Sequence, residues 1–383
     1  MRNHIITQPD LSFRDLGTGI EKTEIWDDLK AGLWKVFSHE NWIYNDRLLP
    51  EDIMLQKPLF PNLQQVVPGM RWDDVAGKAT CERYSPRLVE PGPDSFLALS
   101  EDYFRSLNAS RIGVHLSGGL DSSLIIAVLR QLNIPFVPVG IKTDTYEFRT
   151  ERKIQEILLG WGDDGELIEL DDTPYYSALE NLPPTQIPHG IFKSSAVGSR
   201  LADVFRAKGC DVVLGGQGGD SLFVDAVDSL AALSFNIGDE FEVSDERDLV
   251  YTPRGLRLYS FYAHKPVIDF ISSARLGQKD DPLKWWARRY FKDWLPRELT
   301  EYAYFADFFG QTMWGLEHAK PIIAKLMSEA HQLTGNPAYS PGRISKFLSQ
   351  DVFSFEYGDY INFCSNVAVA VWYKSLKNGG IIQ

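Results

Sequence analysis

Residues 116–123, Leu-Ser-Gly-Gly-Leu-Asp-Ser-Ser, constrain the fold more than any other stretch. An apolar run with Ile112 and Val114 precedes them at 111–115, and an apolar helical pattern follows at 124–132. The string therefore reads as a loop joining a buried strand to a helix. Gly118 and Gly119 let the backbone turn tightly and bring successive N–H groups close to an anion. The hydroxyls of Ser117, Ser122 and Ser123 add donors, and the helix N-terminus adds partial positive charge. Such a loop suits phosphate oxygens. Asp121 would repel them unless a divalent cation lay between, and Mg²⁺ is usually held by one or two carboxylates plus substrate phosphates. A Gly-Ser turn that merely opens a helix is the plainer reading of Ser-Gly-Gly. The whole string between strand and helix favours binding. It is not a Walker loop, because the Gly-Lys-Ser/Thr ending is absent.

A second glycine-rich loop, Leu-Gly-Gly-Gln-Gly-Gly-Asp-Ser-Leu-Phe, spans 214–223 and carries Asp220 where a helix begins. Asp220 alone reads as an N-cap. Paired with the first loop, it offers a second carboxylate for a metal ion. Between the loops, strand-like runs at 136–141, 166–170 and 211–215 alternate with helical patterns at 150–159 and 194–207. An amphipathic helix at 95–107 leads into the first strand. Alternation of this kind predicts an α/β fold with a parallel sheet covered by helices on both faces. Ligands then sit at the carboxyl ends of the strands, where both loops lie. Residues 225–383 read as mostly helical. Near the N-terminus, Ile25, Leu29, Leu33 and Val36 predict a helix over 25–37, residues 50–69 read as a proline-rich loop with short strands, and Pro91-Gly92-Pro93 is a linker.

With 44% hydrophobic and 24% charged residues, the chain can bury a core, and 383 residues allow two or three domains. The net charge of −13 argues against tRNA or DNA as substrate, because a nucleic-acid surface is usually basic. Any phosphate site must be locally positive inside a negative protein. Cys81, Cys210 and Cys364 lack metal-ligand spacing and read as free thiols of a reduced compartment. No signal peptide or membrane-length apolar run appears, so cytoplasm is the default expectation. Aromatic residues crowd at Trp285-Trp286 and at 302–309. Core packing is the ordinary reading of such clusters, and the lining of a substrate cleft is the alternative.

The string at 116–123 resembles the pyrophosphate loop (PP-loop) of the N-type ATP pyrophosphatases, and of asparagine synthetase-like enzymes in particular. In that family ATP is split to AMP and pyrophosphate while a carboxylate is adenylated. The second loop is similar to the family's Gly-Glu-Gly-x-Asp-Glu-Leu/Val-Phe, with matches at Asp220 and Phe223. The stretch 284–296 resembles the family's Lys-x-x-Leu-Arg-x-x-Phe-x-x-x-Leu-Pro at Lys284, Arg288, Phe291, Leu295 and Pro296. The resemblance implies ATP and Mg²⁺ as ligands and a five-stranded adenine-nucleotide α-hydrolase-like sheet. It implies Asp121 and Asp220 as metal ligands. Leu116, Ser117, Gly118, Gly119, Asp121, Ser122, Ser123, Val139, Gly215 and Gly216 become the nucleotide neighbours. Lys284, Arg288 and Gln217 become the residues of the chemistry. At helical spacing Lys284 and Arg288 share one face, where a cation neutralises pyrophosphate and a developing oxyanion. A solvated charged face is the plainer reading, and Arg289 is an alternative to Arg288.

Departures from the family are equally specific. Gln217 stands where the synthetases carry Glu and β-lactam synthetases carry Tyr, and Ser221 replaces an acidic residue. Tyr302 and Tyr304 occupy the places of an Arg-x-Lys pair, and the family's Pro-Phe-Leu-Asp is only echoed by residues 260–263, with Asp269 nearby. Residues 57–69 and 82–86 look like the end of the family's glutaminase domain. Arg2 lies where that domain needs its cysteine nucleophile, and the stretch before the first loop is too short to hold the domain. The expected organisation is a truncated N-terminal remnant at 1–92 and a synthetase domain at 93–383, divided into an α/β core at 93–235 and a helical part at 236–383. His189 and Lys193, in the proline-rich region where the family binds its acceptor carboxylate, are weaker candidates. The expected activity is a glutamine-independent, AMP-forming amide synthetase that joins a small-molecule or peptide carboxylate to ammonia or an amine. The changed acceptor motifs point to specialised metabolism, in the manner of lasso-peptide cyclases and β-lactam synthetases. A partner protein or homo-oligomer is compatible with this, and nucleic acid or membrane is not expected. Two other classes are a PP-loop enzyme acting on tRNA or nucleotides and a silent ATP-binding subunit.

Overall fold

A computed structural model of the chain describes residues 12–18, 20–37, 60–61, 63–66, 70–73, 78–81, 87–142, 149–169, 175–224, 246–275, 283–301, 309–355 and 357–383. The chain forms two compact units: Arg83–Asp172 with Gly198–Asp307, and Met1–Glu82 with Thr173–Val197 and Phe308–Gln383. By packing, the N- and C-terminal segments thus share a unit, whereas the sequence reading divides the chain after residue 92 and, within the synthetase domain, after residue 235.

The first unit is the α/β one. In chain order its elements are α1 (Pro93–Ser106), β1 (Ile112–His115), α2 (Leu120–Gln131), β2 (Phe136–Lys142), α3 (Arg149–Leu159) and β3 (Glu166–Glu169). Then come α4 (Ser195–Ala207), β4 (Val212–Gly215), α5 (Gly219–Val224), β5 (Arg257–Ser260), α6 (Lys265–Ala274), α7 (Trp285–Tyr290) and α8 (Arg297–Glu301). All five strands are parallel, in the order β5-β4-β1-β2-β3. Val212, Val213 and Leu214 of β4 are fully buried, as continuous apolar strands are when helices cover both faces. The chain steps outward from β1 through β2 to β3, then returns to lay β4 on the other side of β1. That reversal makes a crevice outside the carboxyl ends of β1 and β4, the position where open α/β sheets bind ligands. Behind it, α2 is buried from Leu124 to Leu129, so the helix carrying Asp121 is anchored in core.

Four local readings change. Helix α2 begins at Leu120, so Asp121, Ser122 and Ser123 lie in its first turn rather than in the loop. Strand β5 falls in a region read as helical; its four residues alternate in burial and carry no apolar run. The stretch 284–296 is helical only over Trp285–Tyr290. Pro93 opens α1, a position where its missing N–H costs no hydrogen bond.

In the second unit, Ser12–Asp15, Glu21–Lys22 and Leu63–Val66 form an antiparallel sheet, and Met70–Asp73 pairs with Lys78–Cys81. Its helices Phe309–Thr334, Pro341–Ser349 and Tyr357–Asn378 are the expected helical C-terminal region. Buried Trp372 packs on Phe37 and Phe60, with ring centroids 4.9 and 6.4 Å away. The helix predicted over 25–37 breaks after Lys30, because Gly32 takes φ 109° and a short 3₁₀ turn, Leu33–Val36, follows. Among the described residues no helix is long and apolar enough to cross a membrane. Tyr302, Tyr304, Arg2 and residues 82–86 lie outside the described residues.

Candidate active site

The first glycine loop leaves β1 at Leu116, whose N–H still donates to Val139 O of β2 at 2.8 Å. Gly118 has φ 86°, and a Cβ there would meet Glu151 O of α3 at 2.7 Å, so the loop requires glycine on both counts. The serines knit the turn together. Ser117 Oγ and Ser122 Oγ are 2.8 Å apart, Gly119 N donates to Ser117 Oγ at 3.2 Å, and Ser123 Oγ donates to Gly119 O at 2.6 Å. Ser123 is fully buried, so its hydroxyl works inside the fold. The first N–H groups of α2 have no partner within the helix and lie next to this turn.

The second loop leaves β4 beside the first. A Cβ on Gly216 would lie 3.2 Å from Ser122 N, and one on Gly219 would lie 2.5 Å from Asp121 Cγ. The absent side chains are therefore what let the two turns meet. The end of β5 braces both: Ser260 Oγ donates to Gln217 O at 2.6 Å, and Tyr262 OH donates to Asp121 O at 2.7 Å. Arg275, just after α6, caps α5 through Leu222 O at 2.7 Å and Val224 O at 3.1 Å.

Lys284 closes the arrangement. It is the residue before α7, in left-handed conformation at φ 54°. Its ammonium donates to Asp121 Oδ1 and Oδ2 at 2.8 and 2.7 Å and pairs with Asp220, and it stands 5.9 Å from the centre of the Phe223 ring. Burial pushes the Asp121 carboxyl up to about 6, with Asp220 adding to the rise while Lys284 and Arg288 oppose it. Burial works against the Lys284 ammonium, but the two carboxylates outweigh it and hold its pKa above the ordinary value.

The remaining candidates divide. Arg288 is buried one turn from Lys284, close enough to favour ionised Asp121, and it donates to Leu283 O at 2.9 Å and to Leu299 O. Gln217 Nε2 donates to Glu246 Oε2 at 3.4 Å, while its Oε1 is buried without a partner. Val139 is buried in the middle of β2 and Leu116 just past the end of β1. Trp286 is core, with Nε1 donating to Phe223 O at 3.0 Å. His189 and Lys193 belong to the other unit; burial pushes His189 down to about 4, so it is neutral near pH 7. Sequence reasoning missed Ser260 and Tyr262 as braces. Their signal in the sequence is the echo of the family's Pro-Phe-Leu-Asp at 260–263.

Two glycine turns at the switch point of a parallel sheet, with carboxylates and a lysine converging there, make up the candidate site of the α/β unit. The family model described as asparagine synthase matches residues 105–226, from the end of α1 to just past α5. Over that segment the chain is similar to the asparagine synthetase family, whose members are ATP-dependent, amide-forming ligases. No curated protein matches the chain.

Proposed function

We propose that the chain adenylates a substrate carboxylate, releasing pyrophosphate from ATP, and passes the acyl group to ammonia or a substrate amine. The observation that carries this reading is the convergence of Asp121, Asp220 and Lys284 between the two glycine loops. Two carboxylates around one cation are a hard-oxygen donor set, and among the described residues no group of three His, Cys, Asp or Glu competes for a metal. They fit Mg²⁺, which completes its shell with phosphate oxygens and water. When bound there, Mg²⁺ neutralises charge on the triphosphate.

The chain's own groups do the rest. The N–H groups at the start of α2 hold the pyrophosphate oxygens, joined by those of Ser117 and Gly119 as they exchange their serine hydroxyl partners for phosphate. Lys284 transfers its ammonium from the carboxylates to the phosphates and the developing oxyanion, where a fixed cation counts most. Gln217 has no titratable proton, so it orients the incoming nucleophile rather than deprotonating it. The changes at Gln217, Ser221, Tyr302 and Tyr304 support an acceptor other than aspartate, and hence a specialised amide or lactam product.

ATP–pyrophosphate exchange with a panel of carboxylates tests the reading. AMP should form with the active acid, and Asp121→Ala should abolish exchange. ADP as the product would refute it. Rapid turnover of aspartate with ammonia alone would refute the specialised role.

A further inference from the structure

Gln155 is a polar side chain with no exposed surface on the buried side of α3, between Ile154 and Leu158 in the apolar pattern. A buried amide costs free energy unless its hydrogen bonds are made. Its Nε2 lies 3.1 Å from Leu116 O, 3.2 Å from Ser117 O and 2.9 Å from Ile141 O. Two amide hydrogens thus serve three carbonyls. Leu116 and Ser117 are where the chain leaves the β1–β2 ladder, so their carbonyls have run out of strand partners. In a trans peptide the C=O and the following N–H point in opposite directions. Turning the Leu116 and Ser117 carbonyls toward α3 therefore aims the N–H groups of Ser117 and Gly118 away from it. The first of these reaches Ser122 Oγ at 3.3 Å. The same contact keeps two negative carbonyl ends off the surface that would face phosphate.

We infer that Gln155 is a positioning residue for the phosphate loop: by holding the Leu116 and Ser117 carbonyls it fixes two peptide planes and keeps those acceptors turned away from an anion. This rests on the reading that the loop binds the phosphates of ATP. Glu151 O, packed under Gly118, is the second contact of α3 with the loop, so the helix holds the turn from one side at two points.

The test uses the full chain and two near-isosteric variants. Gln155→Met removes both donors. It is expected to weaken ATP and inorganic pyrophosphate binding by about tenfold, as the loss of one or two buried hydrogen bonds would, and to leave adenosine within about twofold. Amide exchange at residues 117–119 should quicken, with that of α2 unchanged. Gln155→Glu keeps one donor when protonated and presents a carboxylate to three carbonyls when ionised. Its ATP affinity should fall as pH rises from about 5.5 to 8, over a range where wild type changes far less. A folded Q155M with wild-type ATP affinity and exchange overturns the inference while leaving the proposed function standing. If Q155M does not fold, Q155E decides, and a wild-type pH profile in it overturns the inference. A wild-type protein that binds neither ATP nor pyrophosphate defeats the proposed function instead, while the exchange comparison still reads whether Gln155 holds the loop.

Discussion

At Lys284 a non-glycine residue turns left-handed, at a cost of about 1 kcal/mol or more, and places one ammonium against two carboxylates. Lys284→Met should lower turnover at least about a hundredfold, because a fixed cation at the developing charge is lost. It should also lower stability at pH 8 by roughly 1–3 kcal/mol, less than a fully buried pair would give, since Asp220 is largely exposed. Near pH 5 that deficit should shrink, because Asp121, pushed up to about 6, is then protonated. Urea unfolding of both proteins at the two pH values checks this. His115 offers a second residue-scale test. It stacks on Phe205 with Nε2 2.6 Å from Tyr251 OH, and burial pushes it down to about 4. The unfolded chain protonates this histidine near 6.5 and the folded one near 4. Its contribution is therefore complete above about pH 6.5 and is lost as pH falls toward 4. Melting of His115→Gln at pH 7.5 and 5 should show a smaller acid-induced drop than wild type.

At the scale of elements, the end of β5 and the 3₁₀ turn that follows it hold the second loop and the start of α2 with two hydroxyls. Tyr262→Phe removes the bond to Asp121 O and should cost about 1 kcal/mol of stability with a several-fold loss of turnover. An unchanged turnover would show that the position of Asp121 does not depend on this brace. Tyr262 also illustrates what was and was not legible. The glycine loops could be read because glycine, serine and aspartate at a strand–helix junction announce their chemistry locally. β5 could not: Arg-Leu-Tyr-Ser is short, alternating and free of turn residues, and it becomes a strand through parallel pairing with β4. The stretch 284–296 is helical over fewer residues than its spacing predicts, for a related reason. Its periodicity is real, but the chain turns at Phe291 to bury Leu295 and to stack half-buried Trp294 on Phe96.

For the whole molecule, a ligand that binds the folded state alone stabilises it in proportion to RT ln(1 + [L]/Kd), about 2.7 kcal/mol at a hundredfold excess over Kd. ATP with Mg²⁺ should therefore raise the melting temperature, and Asp121→Asn should remove the part of the shift that depends on Mg²⁺. A Mg²⁺-independent shift of equal size in both proteins would count against Asp121 as a metal ligand. What residues 116–123 and 214–223 determined unaided was the chemistry on offer: two anion-holding turns, each with one carboxylate, in an α/β setting. Only the tertiary structure decided that these turns touch, since β1 and β4, a hundred residues apart, pair as neighbours. It alone also set Lys284, rather than Arg288 or Arg289, between the two carboxylates. The reason is that turn chemistry is written in adjacent residues, whereas strand order and the reach of a distant lysine follow from burial of the whole sheet.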